Sequence, residues 1–207
     1  MVTTTTTTTT TITMILVSFD LVISSLKRHF MGTVRFISDL HFGHRSILKF
    51  SPQRGGTCVD SHSDWLVHQW NSVVARNDYI WVLGDICFDK THLKHLKKLR
   101  GQKVMVWGNH DLFSLPVYQQ YFHLVYGFRK KYGYWISHAP VHPQELRGKR
   151  NIHGHVHSNY VLGPDGLTDD RYVNVCVEAC DGKPVALDEI NARFPQEPKV
   201  KSQKVPA

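Results

Sequence analysis

Three histidines occupy alternate positions in the segment Asn-Ile-His-Gly-His-Val-His, which spans Asn151 to His157. Because side chains alternate between the two faces of a β-strand, His153, His155 and His157 are predicted to project from one face of a strand. The chain contains 14 histidines among its 207 residues, and neutral imidazole is a common metal ligand. The segment therefore indicates a metal site, provided that other ligand side chains come together beside it.

Such side chains follow the ends of four earlier apolar runs, each of which is predicted to be a strand. The runs are Val34–Ser38, Tyr79–Gly84, Lys103–Gly108 and Tyr132–Ser137. In open α/β sheets, sites form in the crevice beyond the carboxyl ends of the strands. We therefore predict one metal site formed by seven side chains, namely Asp39, His41, Asp85, Asn109, His138, His155 and His157.

The ligand types restrict which metal such a site would hold. Imidazole nitrogens, two carboxylates and one amide oxygen, without a thiolate, suit Mn, Fe, Zn or Ni better than calcium or an iron–sulfur cluster. Seven ligands are too many for one tetrahedral ion, but they suit two ions that share a carboxylate. Two ions ~3.5–4 Å apart can hold the attacking and leaving oxygens of an in-line displacement. The prediction is two divalent metal ions, with Mn²⁺ as the expected activator.

The elements that must position these ligands alternate between strands and helices. Apolar residues at helical spacing predict helices over Ser63–Arg76, with Ser63 as the N-cap, and over Thr91–Leu99. Near the end of the domain, Arg171–Glu178 and Lys183–Ile190 are predicted to form a hairpin around an Asp-Gly turn. Alternating elements followed by a β-rich half predict an α/β fold in which two sheets are in contact.

The ordered motifs Asp-x-His, Gly-Asp, Gly-Asn-His-Asp, His and Gly-His-x-His resemble those of the calcineurin-like metallophosphoesterase superfamily. The resemblance covers roughly Met31 to Phe194 and is closest to a small bacterial and phage branch. It implies a four-layer α/β/β/α sandwich with two mixed sheets and a dinuclear metal site at the carboxyl ends of the strands. The first metal would be held by Asp39, His41 and His157, the second by Asn109, His138 and His155, and both by the bridging Asp85.

The same resemblance implies how the site would work. A metal-bridging hydroxide would attack the phosphorus, His110 would give a proton to the leaving group, and Asp111 would orient His110. His153 lies outside the motif and is interpreted as a supporting or structural residue. Three side chains are expected to contact the substrate, namely His44, Arg45 and Asn109. For His44 and Arg45, capping of the following helix is an equally good interpretation.

One motif departs from the family pattern, which has Gly-His where this chain has Ser137-His138. Because glycine adopts a positive φ at lower cost than serine, the local backbone is expected to differ. His142 competes with His138 for the ligand position. The end of the predicted strand at Ser137 favours His138.

Composition and low-complexity segments give general expectations about the type of substrate, the location and the bounds of the domain. The formal net charge of +8 suits an anionic substrate, and four dispersed cysteines favour a reducing, cytoplasmic location. Residues 32–194 are predicted to form the phosphoesterase domain. Residues 1–31 are expected to be a low-complexity leader outside it, dispensable for catalysis, and residues 195–207 a disordered basic tail. No membrane span is expected, because the apolar run Met14–Leu26 is too short.

The hypothesis for function is hydrolysis of a phosphodiester in a small nucleotide-type substrate. Cationic side chains at Arg45 and Arg129–Lys131 suit a polyanion, and Phe42, Tyr132, Tyr134 and Trp135 are candidates for stacking on a base. The motifs equally allow a phosphomonoesterase acting on a nucleotide or a phosphoprotein. A nuclease and a non-catalytic nucleic-acid-binding module are the remaining alternatives, and no stable nucleic-acid complex is expected.

Overall fold

Nine β-strands in two mixed sheets form the frame of residues 32–194, which are the part of the chain described by the computed structural model. The first sheet has the order β4-β3-β2-β1-β9, and the second has the order β5-β6-β7-β8. The strands are β1 (Val34–Ile37), β2 (Tyr79–Leu83), β3 (Gln102–Val106), β4 (Leu124–Tyr126), β5 (Arg129–Lys131), β6 (Tyr134–Ile136), β7 (Arg150–His153), β8 (Tyr172–Asn174) and β9 (Val185–Ala186). Only β5 and β9 pair antiparallel to their neighbours. The predicted α/β fold with two mixed sheets is confirmed.

Five short or medium α-helices and two 3₁₀ helices connect these strands within residues 32–194. The α-helices are α1 (Ile47–Phe50), α2 (Val59–Val73), α3 (Leu115–Tyr118), α4 (Val177–Cys180) and α5 (Leu187–Ala192). The 3₁₀ helices are Lys90–Lys97 and Pro143–Glu145. Among these described residues, no helix combines the length and apolar character needed to cross a membrane. The expectations about residues 1–31 and 195–207 lie outside the described residues.

The two long helical segments differ in detail from their predictions. Helix α2 starts at Val59, after a capping box between Cys58 and Ser61, so the predicted N-cap Ser63 lies inside the helix. There its hydroxyl donates to the carbonyl of Val59 at 2.9 Å. The second predicted helix is a 3₁₀ helix, whose three-residue repeat places Leu93 and Leu96 on the same buried side.

Two hydrophobic cores lie on the opposite faces of the first sheet. Ile80 and Val82 of β2 pack against the apolar side of α2 and of the Lys90–Lys97 helix. On the other face, Trp81 and Leu83 pack against the second sheet, where Ile152 of β7 is fully buried. Because β2 is buried on both faces, its sequence is a continuous apolar run, as is usual for a central parallel strand. The carboxyl ends of the two sheets meet where Ser38 pairs with Cys176.

The predicted hairpin over Arg171–Glu178 and Lys183–Ile190 is wrong. Strand β8 belongs to the second sheet, β9 to the first, and α4 lies between them. The side chain of Asn174 accepts a hydrogen bond from the N–H of Cys176 and thereby ends the strand. Asp181, at φ 51°, ends α4 in the left-handed region. Local patterning could not separate this arrangement from a hairpin, because a buried helical turn is as apolar as a strand.

His62 in α2 makes stability dependent on pH in a predictable way. The residue is fully buried, both ring nitrogens lack a hydrogen-bond partner among the described residues, and burial lowers its pKa to about 3. The unfolded chain binds this proton near the ordinary value of 6.5, so the unfolded state holds more protons between these two values. Stability should therefore rise with pH through this window and be fully present above it.

The slope of the unfolding free energy against pH is proportional to the number of protons taken up on unfolding. His62→Leu is expected to lower that number by close to one at the centre of the window. Urea unfolding at several pH values measures the slope. His68→Leu, at an exposed position of the same helix, serves as the control. An unchanged slope in the His62 variant would show that other groups account for the acid sensitivity.

Candidate metal centre

Asp39 and Asp85 follow the ends of β1 and β2 and are buried, and Asp85 lines a cleft. Asp39 Oδ1 lies 3.6 Å from His41 Nε2 and 3.8 Å from His157 Nε2. On the other side, Asp85 Oδ1 lies 3.5 Å from His138 Nε2. Two groups of possible metal ligands result, one of Asp39, His41 and His157 and the other of Asp39, Asp85 and His138, and within each group the ligand atoms lie within 4.8 Å of one another.

Asp85 faces both groups through different oxygens. Its Oδ2 is 3.9 Å from His41 Nε2, whereas its Oδ1 faces His138. This is a suitable position for a carboxylate shared between two ions. Asp39 also belongs to both groups, so two carboxylates rather than one lie between the histidines.

Asn109 and His155 extend the group around His138. Asn109 Oδ1 lies 2.7 Å from His138 Nε2, and His155 Nδ1 lies 3.2 Å from the same nitrogen. All seven predicted ligands therefore lie in one cluster. His142, the competitor of His138, is exposed and accepts from the N–H of Gln144 at the start of the Pro143–Glu145 helix.

Two buried atoms in this cluster have no hydrogen-bond partner among the described residues, namely Asp39 Oδ1 and His41 Nε2. His138 gives a related observation. Its Nδ1 lies 2.7 Å from the carbonyl of Leu83. Because a carbonyl only accepts hydrogen bonds, Nδ1 must carry a proton. In the neutral ring, Nε2 then presents a lone pair towards the oxygens of Asn109 and Asp85. Burying hydrogen-bond acceptors opposite one another costs free energy unless a cation lies between them. These residues therefore fit a metal ion.

The electrostatics of Asp39 favour the charged form that a metal ligand needs. Burial opposes ionisation, but the nearby imidazoles of His41 and His138 outweigh it and hold the pKa of Asp39 well below its usual range. Burial lowers the pKa of His41. A neutral imidazole and an ionised carboxylate are the forms that bind cations.

The predicted strand that carries three histidines on one face is wrong in its second half. Strand β7 ends at His153, and His155 and His157 have φ values of 71° and 52°. Gly154 lies so close to Ser38 and Asp39 that a Cβ could not fit, and the N–H of His155 donates to Asp39 Oδ2 at 2.8 Å. The turn therefore delivers the two histidines to the cleft. His153 is buried, with Nδ1 2.9 Å from the carbonyl of Gly154, and lies outside both ligand groups.

Left-handed backbone is shared by five of the seven candidate ligands. Their φ values lie between 51° and 71°, and the residues are Asp39, His41, Asp85, His155 and His157. Such conformations are uncommon for residues other than glycine and concentrate at functional sites. The strain arises where each strand ends and the chain turns sharply into the cleft.

The structure places His110 and Asp111 in different roles. His110 is exposed at the cleft, and its backbone N–H donates to Asp85 Oδ1 at 2.9 Å. Asp111 is buried, burial raises its pKa, and it accepts from the N–H groups of Asp85, Ile86 and Gly108. None of its hydrogen bonds in residues 32–194 reaches the His110 ring. Direct orientation of the His110 ring by Asp111 is therefore not seen, and this carboxylate instead fixes the turns that carry Asp85 and His110.

The cleft above the ligands has a volume of about 660 Å³ and is lined by both polar and apolar side chains. Histidines and Asp85 are among the polar lining residues, and Ile47, Phe50 and Phe88 are the apolar ones. His44 also lines the cleft, and its ring lies 4.5 Å from that of Phe88. Arg45 is exposed and is not a lining residue, and its contact with a substrate stays a prediction.

The other predicted substrate contacts also lie away from the cleft lining. Arg129, Lys130 and Lys131 form the edge strand β5 of the second sheet, where Lys131 Nζ lies 4.9 Å from the centre of the Tyr132 ring. The aromatic residues proposed for base stacking belong to the cores or to this sheet: Phe42, Tyr132, Tyr134 and Trp135. These side chains fill the interior or cover the sheet instead of forming the cleft.

Sequence reasoning missed two buried charged residues beside the ligands, Glu178 and Arg54. Glu178 lies in α4 and accepts from His157 Nδ1 at 2.9 Å, and Arg54 pairs with it at 2.7 Å. Burial works against the charge of Glu178, but its hydrogen bond with His157 and the charge of Arg54 lower its pKa to about 2. The assignment of Arg171–Glu178 to a hairpin concealed Glu178, and the loop around Arg54 carries no recognisable motif.

Fold and site together define an α/β protein with a cluster of candidate metal ligands at the carboxyl ends of its strands. No family model matches the sequence. The uncharacterized protein MJ1445 of Methanocaldococcus jannaschii is 32% identical over 166 residues, which cover 77% of this chain and 90% of that protein. The chain belongs to the same family as MJ1445.

Two further comparisons agree with this relationship. The Gene 66 protein of Mycobacterium phage L5 is 28% identical over 198 residues, covering 77% of this chain and 93% of the phage protein. The crystal structure of AQ665 from Aquifex aeolicus, a protein of unknown function, matches with a TM-score of 0.62 and 25% identity. That match covers 79% of this chain and 100% of AQ665. The match to AQ665 supports the fold.

Proposed function

We propose that this protein is a metal-dependent phosphoesterase of the calcineurin-like type, which hydrolyses a phosphodiester in a small nucleotide-type substrate. The observation that carries the proposal is the position of Asp85 between two groups of ligand atoms, beside a histidine at the open cleft. The four-layer sandwich of that superfamily belongs to the same proposal. Two divalent ions, with Mn²⁺ as the expected activator, are its cofactors.

The ligands divide into two sets in this proposal. One ion would be held by Asp39, His41 and His157, the other by Asn109, His138 and His155, and both by Asp85. Ions bound there would lower the pKa of a bound water and neutralise charge on the phosphate oxygens. The left-handed turns fix the direction of these side chains before any ligand arrives, so little reorganisation is required.

His110 is the proposed general acid. Its ring is exposed at the cleft, and its centre lies 5.5 Å from that of Phe88. The hydrogen bond from its backbone N–H to Asp85 holds the backbone that carries the ring next to the ligands. From there it can give a proton to the leaving oxygen, which would otherwise depart as an unstable alkoxide.

The walls of the cleft support a nucleotide as the substrate. The volume of about 660 Å³ is that of a small-molecule site. Phe50 is 73% exposed and lines the cleft, and its ring lies 6.0 Å from that of His44. A large exposed aromatic side chain beside a polar centre suits a flat base attached to a phosphate.

Substrate profiling tests the proposal directly. The kcat/KM of the Mn²⁺-loaded protein is expected to be at least ~10-fold higher for a cyclic nucleotide or short oligonucleotide than for a nucleoside monophosphate or phosphopeptide, a difference of about 1.4 kcal/mol. Phe50→Ala should raise the KM for the nucleotide, whereas Phe128→Ala, at an exposed position outside the cleft lining, should not. A tenfold preference for the monoester or phosphopeptide would replace the diesterase assignment by the phosphatase alternative.

A further inference from the structure

Glu178 and Arg54 form a buried charged pair directly behind the candidate ligands. The Glu178 side chain is 1% exposed and that of Arg54 is fully buried. Glu178 Oε1 receives hydrogen bonds from Arg54 Nε at 2.8 Å and from the Ser51 hydroxyl at 2.6 Å. The same oxygen lies 2.9 Å from His157 Nδ1. A pair buried to this degree is a weak source of stability, because desolvation of the charges offsets most of their attraction.

The contact with His157 determines which ring nitrogen is available to a metal. A carboxylate can only accept a hydrogen bond, so the partner Nδ1 must carry the proton. In the neutral ring, Nε2 then keeps its lone pair, and it lies 3.8 Å from Asp39 Oδ1. A histidine ligand oriented in this way by a carboxylate is also a stronger electron donor.

Arg54 connects this contact to the turn that carries two other ligands. Its guanidinium donates to the carbonyl of Asp39 at 2.9 Å and to that of Leu40 at 3.3 Å. Asp39 and His41 both have left-handed backbone, at φ 60° and 51°. Arg54 therefore contacts both the left-handed turn that carries Asp39 and His41 and the carboxylate that contacts His157.

We propose that Glu178 is a positioning residue that fixes the tautomer and orientation of His157, with Arg54 holding Glu178 in place. The inference rests on the metal centre of the proposed function. It assigns a role in metal affinity to a residue that is not itself a ligand. The remaining carboxylate oxygen, Oε2, is buried without a hydrogen-bond partner among the described residues, so Glu178 acts through Oε1 alone.

Two variants at this position test the inference, with calorimetric titration of Mn²⁺ into the metal-free protein as the first measurement. Glu178→Met removes the acceptor and is expected to weaken Mn²⁺ binding by ~10–100-fold. Glu178→Gln retains a carbonyl acceptor for Nδ1 and should recover a large part of that affinity. Glu189→Gln, at an exposed position of α5, should bind as the wild type does. Mn²⁺ affinity unchanged in Glu178→Met would overturn the proposal.

The tautomer of His157 in the metal-free protein is the second measurement, obtained from nitrogen chemical shifts by NMR at a pH at which the ring is neutral. Wild-type and Glu178→Gln proteins should show the proton on Nδ1, and Glu178→Met should show a mixture or the other tautomer. If Glu178→Met does not fold, a Glu178→Gln protein with its proton on Nε2 would overturn the proposal by itself. If the wild type binds no metal, the proposed function fails, and the tautomer still shows whether Glu178 orients His157.

Discussion

His110→Ala is expected to lower kcat for a nucleotide phosphodiester by ~10²–10⁴-fold, the usual contribution of a positioned general acid. Mn²⁺ binding should remain, because His110 belongs to neither group of ligand atoms. The contact to Asp85 comes from the backbone N–H of this residue, which alanine retains. The variant therefore removes the proposed proton donor without disturbing the proposed bridging carboxylate.

Leaving-group dependence distinguishes proton donation from a positioning role for His110. A p-nitrophenolate leaving group needs little protonation, so its hydrolysis should suffer a much smaller loss than that of an alkoxide ester. His68→Ala, at an exposed position of α2, controls for the loss of a surface imidazole. Steady-state kinetics on both substrates provide the comparison. An equal loss for both would show that His110 holds the phosphate and does not protonate the leaving oxygen.

Asp85→Asn is expected to reduce bound Mn²⁺ from two ions per chain to one or fewer. It should lower kcat/KM on the order of 10³-fold, since a metal contributes several kcal/mol of charge stabilisation in the transition state. Asparagine has nearly the same shape, but one of its two terminal atoms is an amide nitrogen, which cannot bind a cation. Asp85 uses its oxygens in different directions, towards His41 and towards His138. The single oxygen of asparagine cannot bind an ion beside His41 and another beside His138.

Elemental analysis of the Mn²⁺-loaded proteins measures the stoichiometry, and Asp188→Asn, at an exposed position in α5, is the matched control. Near-ultraviolet circular dichroism should be similar for all three proteins. Two ions and full activity in Asp85→Asn would remove Asp85 from the bridging role. A wild-type protein with one ion and full activity would contradict the dinuclear centre itself.

The position of the seven candidate ligands could be predicted because it follows from topology. Parallel strands place their carboxyl ends at the same edge, so Asp39 after β1 and Asp85 after β2 must be neighbours whatever the loops do. The same rule does not say where a strand ends or in which direction the chain continues after it. It did not foresee that β7 ends at His153 or that the following turn is left-handed.

Glu178 and Arg54 show a second reason why part of the site could not be predicted. They are 124 residues apart, and no local pattern marks either one. Their contact exists only because α4 replaces the end of the first strand of the predicted hairpin and turns Glu178 inward. Arg45 shows the converse, since a cation close in sequence to two ligands is exposed and lies outside the cleft lining. Proximity to a motif is a poor guide where the chain changes direction within a few residues.

Because of their left-handed backbone, some ligand residues are required for function but are not favoured by selection for a stable fold. His155 is exposed and has φ 71°, so it contributes little packing and carries steric strain of roughly 1–3 kcal/mol. Glycine would relieve that strain at an entropic cost of roughly 0.5–1 kcal/mol. A mutation that deletes this ligand is therefore neutral or favourable for the metal-free fold. Screens for heat resistance or expression alone would pass such variants, and only continued demand for metal binding preserves the histidine.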